Sequence, residues 1–258
     1  MAVFDRLYAD AVTPAAQFFL AAKVNGTDGL VESLRKRPRY YASLRPSMMH
    51  FSSRLPEIRA VFRRLHQILP EATFPDLTFV VGAMHSAGTA GIEGLMFGSE
   101  QLSRDEATPL DELDAAGLQH ALKSEALIHI AAHELAHFQQ HFGECETLLC
   151  NALLEGGPEL VAEVISGAVA NPALAAYGDP HEHELWIDFR RAMAGTDSSA
   201  WLRNYEHVKD RPADLGYYVG YRITKLYYER TTDKTAALRT ILNVQDPPAF
   251  LAMSGYSP

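Results

Sequence analysis

The residues of this chain best suited to chemistry are two histidines four positions apart with a glutamate between them: His133-Glu134-Leu135-Ala136-His137. Residues at i and i+4 share a helix face. In a helical segment both imidazoles therefore project from one side, and two nitrogens can reach one ion at about 2.0–2.1 Å each. Glu134 then lies about 100° around from His133. It stands beside the ion without ligating it, where a base for attacking water belongs. The flanking residues Leu127, Ile128, Ile130, Ala131 and Leu135 are apolar, so the motif is expected to be buried. Two buried histidines lacking a shared partner would be costly. The chemistry implied is hydrolysis assisted by a zinc ion, one per chain.

A catalytic zinc takes three protein ligands and keeps one open position. The candidate third ligand is Glu155, in Leu153-Leu154-Glu155-Gly156-Gly157-Pro158-Glu159-Leu160. A reversal at Gly143 would return a second helix antiparallel to the first, with Glu155 facing the histidines. Glu159, one turn further along, suits accepting the second ring N–H of a ligand histidine. The opposite assignment, with Glu159 as ligand, stays open. Pro158 lacks the N–H that would bond to the carbonyl of Leu154, so the helix is expected to kink or restart after Glu155.

His133-Glu134-x-x-His137 followed by Glu155-Gly156 resembles the gluzincin metallopeptidases. That resemblance implies His133, His137 and Glu155 as zinc ligands, Glu134 as general base and Glu159 as the recurring acid four residues beyond the third ligand. The strings HELAHFQQ, LLEGGPELVAE, PHEHELW, RPADLGYYVGYRI and FLAMSGY resemble a bacterial family of predicted zinc-dependent proteases. It implies a zinc metallopeptidase acting on a peptide or protein. Amide hydrolysis also needs an oxyanion donor. Tyr217, which matches that family's glycine-tyrosine pair, is the first choice, with Tyr221 and His181 as alternatives. Two other readings accompany this one: a zinc hydrolase of a non-peptide amide, and a catalytically silent protein whose zinc only ties helices together.

The elements that must position these residues are mostly helical. Residues 4–70 read as several amphipathic helices punctuated by Pro14, Pro38, Pro46 and Pro56. Leu77–Val81 reads as a strand, Gly88, Gly91 and Gly94 as a turn-rich link, and 95–97 as a second short strand. Helices are expected over about 117–142, 146–167, 181–194, 214–230 and 233–243. The fold class expected is mainly α with a small β-sheet (α+β), in a zincin-like architecture with the active-site helix packed on the sheet. One zincin-like domain over 1–258 is expected, with a helical part at 1–70 and the sheet plus catalytic helices at 71–258.

With 47% hydrophobic and 21% charged residues, the composition is ordinary for a globular chain. The net charge of −9 is uneven: residues 1–70 hold 11 lysines and arginines against 5 acids, and the remainder 12 against 27. The basic run Arg35, Lys36, Arg37, Arg39 is expected to be a solvated helix face, and the overall acidity argues against nucleic acid as a partner. No apolar run reaches the length of a transmembrane helix. The N-terminal residues do not read as a signal peptide, which predicts a cytoplasmic protein, or a periplasmic one if a leader has been removed. Cys145 and Cys150 are expected to pair in an oxidising compartment and to stay reduced otherwise.

Overall fold

The computed structural model describes residues 6, 8, 10–168, 171–205, 208 and 210–258; residues 4, 5, 7 and 9 of the expected N-terminal helical stretch lie outside these. The chain is mainly helical with one three-stranded sheet. It groups into two compact units, Met1–Arg63 with Thr73–Phe138, and Arg64–Ala72 with Gln139–Pro258.

The first unit holds α1 (Pro14–Lys23), α2 (Gly26–Lys36), α3 (Pro38–Met49), the start of α4 (Leu55–Ile68), β1 (Leu77–Val80), β2 (Gly88–Gly91), β3 (Gly94–Gly98), α5 (Ala115–His120) and α6 (Ala126–Phe138). The sheet order is β1-β3-β2. The central strand β3 pairs parallel to β1 and antiparallel to β2, with Leu77 opposite Leu95 and Gly88 opposite Phe97. Its run Leu95-Met96-Phe97 is fully buried because both faces are covered, which suits an unbroken apolar strand. Met96 packs with Ala16, Phe19 and Leu20 of α1. Phe97 points the other way and stacks on Phe79, which in turn meets Phe51. Cross-strand partners share a face, so Gly88 lies on the side of Phe97, and it is there that α6 packs against β2 and β3.

Glu100 fastens the segment between β1 and β2. Its two carboxylate oxygens accept the amides of Gly82 and Met84 at 2.7 and 2.9 Å. Tyr41 donates to the carbonyl of Gly82 and Tyr40 to that of Glu100, each at 2.8 Å. These bonds hold Met84 at φ 66°, a conformation that a bulky residue adopts only when its surroundings impose it.

The second unit is a helical assembly: α7 (Leu148–Ser166), α8 (Pro172–Ala192), α9 (Leu215–Arg230), α10 (Lys234–Ile241) and α11 (Pro247–Ser254). Helix α9 is its hub and packs on the other four. Side chains of Thr147, Asn171, Asp233 and Asp246 cap the N-termini of α7, α8, α10 and α11, each satisfying an amide that the helix leaves open.

The structure corrects several expectations. Residues 88–91 are a strand, not a link; two of the four residues are glycine, and their strand character comes from pairing with β3. The helix expected over 117–142 is two helices, because the segment between them pairs elsewhere: the amide of Leu122 donates to the carbonyl of Gln101 and Lys123 bridges to Arg104. The helix expected at 181 starts at Pro172 and carries Pro180 inside it. Helix α11 was not expected. Cys145 and Cys150 form a disulfide, with Cα atoms 5.2 Å apart. The basic run is mostly neutralised locally: Lys36 pairs with Glu32, and Arg39 with Asp111 and Glu112. Among the described residues no helix is long and apolar enough to cross a membrane.

Burial pushes the Glu100 carboxyl up to about 7, against the opposing pull of the Gly82 and Met84 amides. Below the ordinary value of 4.5 both folded and unfolded chains hold this proton. Between that value and about 7 the unfolded chain releases it first, so stability falls as pH rises through this window and levels off above it. Denaturant unfolding of wild type and Glu100→Gln checks this. The stability difference, wild type minus variant, is expected to decline from about pH 4.5 to 7 and then stay flat; a difference flat throughout contradicts it.

Candidate metal centre

Helix α6 has the sequence ALIHIAAHELAHF. Its alanines and leucines favour the helix, and Leu127, Ala131, Ala132, Leu135 and Ala136 are fully buried. This buried frame fixes His133 and Glu134, which are only 5% and 8% exposed. The Nε2 atoms of His133 and His137 lie 3.0 Å apart, with the ring centroids 4.6 Å apart and the planes at 74°. One of those nitrogens donates to the other, so at most one proton lies between them. Two nitrogens on a tetrahedral zinc would be about 3.3 Å apart, given bonds of about 2.0–2.1 Å. The imidazole pair thus converges at nearly the spacing a shared ion requires, and it fits the group that the sequence motif implies.

Glu134 has a second constraint that the sequence did not reveal. Gly88 of β2 lies so close that a Cβ there would sit 2.7 Å from Cγ of Glu134 and 2.8 Å from its Oε1. The glycine leaves the space that the carboxylate uses. The glycine-rich segment was visible in the sequence, but its partner was not, because the contact depends on which face of β2 meets α6.

In the second unit Glu155 lies on α7, which runs unbroken through Pro158 from Leu148 to Ser166. The expected kink or restart does not occur. The carbonyl of Leu154, left without its helical donor by the proline, accepts instead from Nε2 of Gln140 at 2.8 Å. The helix therefore keeps its course from Glu155 to Glu159. Helix α9 crosses α7 at Gly156 and Gly220: a Cβ on Gly156 would meet the Gly220 carbonyl carbon at 2.1 Å, and one on Gly220 the Ala152 oxygen at 1.8 Å. Thr224 adds a hydrogen bond from Oγ1 to the Gly156 carbonyl at 3.2 Å.

That close crossing brings Tyr217 to Glu155. The Tyr217 hydroxyl hydrogen-bonds the Glu155 carboxylate, and burial first, then the charges of Glu155 and Asp214, holds its pKa well above the ordinary value. Tyr217 is therefore a protonated donor. The other oxyanion candidates have hydrogen-bond partners of their own. Tyr221 donates to Glu163 and accepts from Lys225 at 2.6 Å. His181 bonds through Nδ1 to the Tyr177 carbonyl at 2.7 Å and stacks on the Tyr177 ring. Glu159 is nearly buried and shares a pocket wall with Tyr217, Tyr218 and Tyr221.

Two imidazoles and one carboxylate, those of His133, His137 and Glu155, make up a donor set that could hold a metal ion. The chain matches no protein-family model, no curated protein and no solved structure. The chemistry of the site accordingly rests on the residues themselves.

Because the α7–α9 crossing tolerates no side chain, Gly156→Ala is expected to cost about 3 kcal/mol or more of stability, at or above the upper end of ordinary overpacking. Gly143→Ala is the control, since its added Cβ would meet nothing nearer than 3.8 Å; it is expected to stay within about 0.5 kcal/mol of wild type. Equal unfolding midpoints for the two variants would show that the crossing is not tightly packed.

Proposed function

We propose that the protein is a zinc-dependent hydrolase, most specifically a metallopeptidase of zincin-like architecture, with His133, His137 and Glu155 as ligands. The observation that carries this reading is the 3.0 Å convergence of the two histidine Nε2 atoms on a helix whose intervening Glu134 is buried beside them. Two imidazoles and a carboxylate are a common donor set for a catalytic zinc with an open position. A zinc ion held there would acidify water and polarise a carbonyl.

The remaining roles belong to the chain. Glu134 accepts the proton of the attacking water and returns it to the leaving nitrogen. Its low exposure and the wall formed by Gly88 fix the direction of that transfer. In the structure the Tyr217 hydroxyl gives its one proton to the Glu155 carboxylate; turned from Glu155 to the substrate, the same hydroxyl is the donor for the oxyanion that develops there. We assign Glu159 to accept a ligand histidine's second N–H once the metal is bound, which would set the tautomer. A peptide is favoured over other amides by β2. This strand is one of the sheet's two edges, paired among the described residues with β3 alone, and its face meets Glu134. An extended chain can pair with such an edge through its backbone.

Two measurements test the reading. Protein purified without chelator is expected to carry one zinc per chain by elemental analysis. Glu134→Gln is expected to keep that zinc while losing about 10²–10⁴-fold in hydrolysis of an unfolded protein substrate, whereas His137→Ala loses the metal. Zinc-free wild type, or a fully active Glu134→Gln, would overturn it. Gly88→Ala is a finer probe. Its added Cβ must displace Glu134, so zinc content is expected to persist while turnover falls about 10²-fold; unchanged turnover would detach Glu134 from the chemistry.

A further inference from the structure

A second pocket in the helical unit lies against the Glu155–Tyr217 pair. It is lined by Asn151, Glu155, Ser198, Leu202, Arg203 and Tyr217. Arg203 has an unusual backbone, with φ 53°, and Asp214, across the same loop, has φ 60°. Left-handed conformations at non-glycine residues persist only where surroundings impose them, and they gather at functional sites.

Here the surroundings are specific. The amide of Arg203 donates to Oδ1 of Asp214, and the amide of Asp214 donates to Oδ1 of Asn204 at 2.8 Å. Asn204 and Asp214 are buried. Arg211 ties the loop from the other side, donating to the Ala200 carbonyl at 2.8 Å and lying over the Trp201 ring. Five residues of one loop are thus spent on fixing a backbone turn whose product is the position of one exposed arginine.

The guanidinium itself is left uncommitted: among the described residues it makes no hydrogen bond or ion pair. The other charge on the pocket wall, Glu155, accepts from Tyr217 and belongs to the metal in the function proposed above. Asn151 has its amide nitrogen engaged with the carbonyls of Cys145 and Thr147. Arg203 and the Ser198 hydroxyl are therefore the pocket's available donors. An arginine fork with a neighbouring hydroxyl suits a carboxylate, which takes two parallel hydrogen bonds from the planar guanidinium.

We propose that this pocket is a specificity site for a substrate carboxylate, with Arg203 as the residue that binds it. The inference rests on the hydrolase reading for its place beside the chemistry. The carboxylate has two natural sources, an acidic side chain and the free C-terminus of a peptide.

The experiment measures binding, so that it does not depend on turnover. Four octapeptides of otherwise identical glycine, alanine, leucine and phenylalanine sequence carry an uncharged fluorophore. One is amidated and neutral, one has a free C-terminus, one is amidated with an internal glutamate, and one is amidated with an internal lysine. Fluorescence anisotropy reads their affinity for purified Glu134→Gln protein. The free-C-terminus peptide, the glutamate peptide or both are expected to bind about 10-fold or more tightly than the neutral one, the worth of a charge-assisted hydrogen bond. Whichever binds identifies the source. Adding Arg203→Gln is expected to reduce that preference to about two-fold or less, and Arg203→Glu to transfer it to the lysine peptide. Equal binding of all four peptides, absence of binding, or an unaltered preference in both Arg203 variants would overturn the proposal. Hydrolysis of the same peptides by wild type separates the two ideas. Charge preference without hydrolysis sinks the hydrolase reading alone, and hydrolysis without charge preference sinks the carboxylate pocket alone.

Discussion

Much of this structure is organised by two imidazole nitrogens held 3.0 Å apart on one helix face. Such a pair is electrostatically demanding. Two N–H groups cannot point at each other across that distance. Two bare lone pairs facing each other would repel as well. One shared proton, or one shared cation, resolves the conflict. The rest of α6 serves the pair by removing alternatives: alanines 131, 132 and 136 and Leu135 are fully buried, so the helix cannot rotate the histidines into water without exposing that frame.

Absent side chains do as much here as present ones. Gly88 leaves room for the Glu134 carboxylate beside the sheet, and Gly156 with Gly220 lets α7 and α9 touch through their backbones. In the first case the missing Cβ determines where the Glu134 carboxylate can stand. In the second it sets which tyrosine of α9 reaches Glu155, because a helix one side chain further away would leave the Tyr217 hydroxyl short of the carboxylate. Glycine in a helix interior costs about 1 kcal/mol relative to alanine, a penalty tolerated where close approach matters more.

The sequence made some of this legible and hid the rest for identifiable reasons. The histidine pair, Glu134 and the helices carrying them follow from a period of 3.6 and from local composition, and α7, α9 and α10 lie close to where that periodicity puts them. Strand β2 was hidden because Gly-Thr-Ala-Gly has turn-like propensity; only its partner β3 makes it a strand. Pro158 and Pro180 suggested breaks that did not form. At Pro158 the reason is visible: the Leu154 carbonyl is satisfied by Gln140, eighteen residues before the proline, a contact no local rule contains. Arg203 was unremarkable in the sequence, because its significance lies in a left-handed backbone imposed by Asp214 from eleven residues away.

The central claim is that His133 and His137 bind one zinc ion together with a carboxylate. X-ray absorption of the zinc-loaded protein tests it most directly. The account predicts a low-coordinate shell of nitrogen and oxygen at about 2.0–2.1 Å, with outer-shell scattering from two imidazoles that falls to one in His137→Ala. A shell containing sulfur at about 2.3 Å, or one without imidazole scattering, would contradict it.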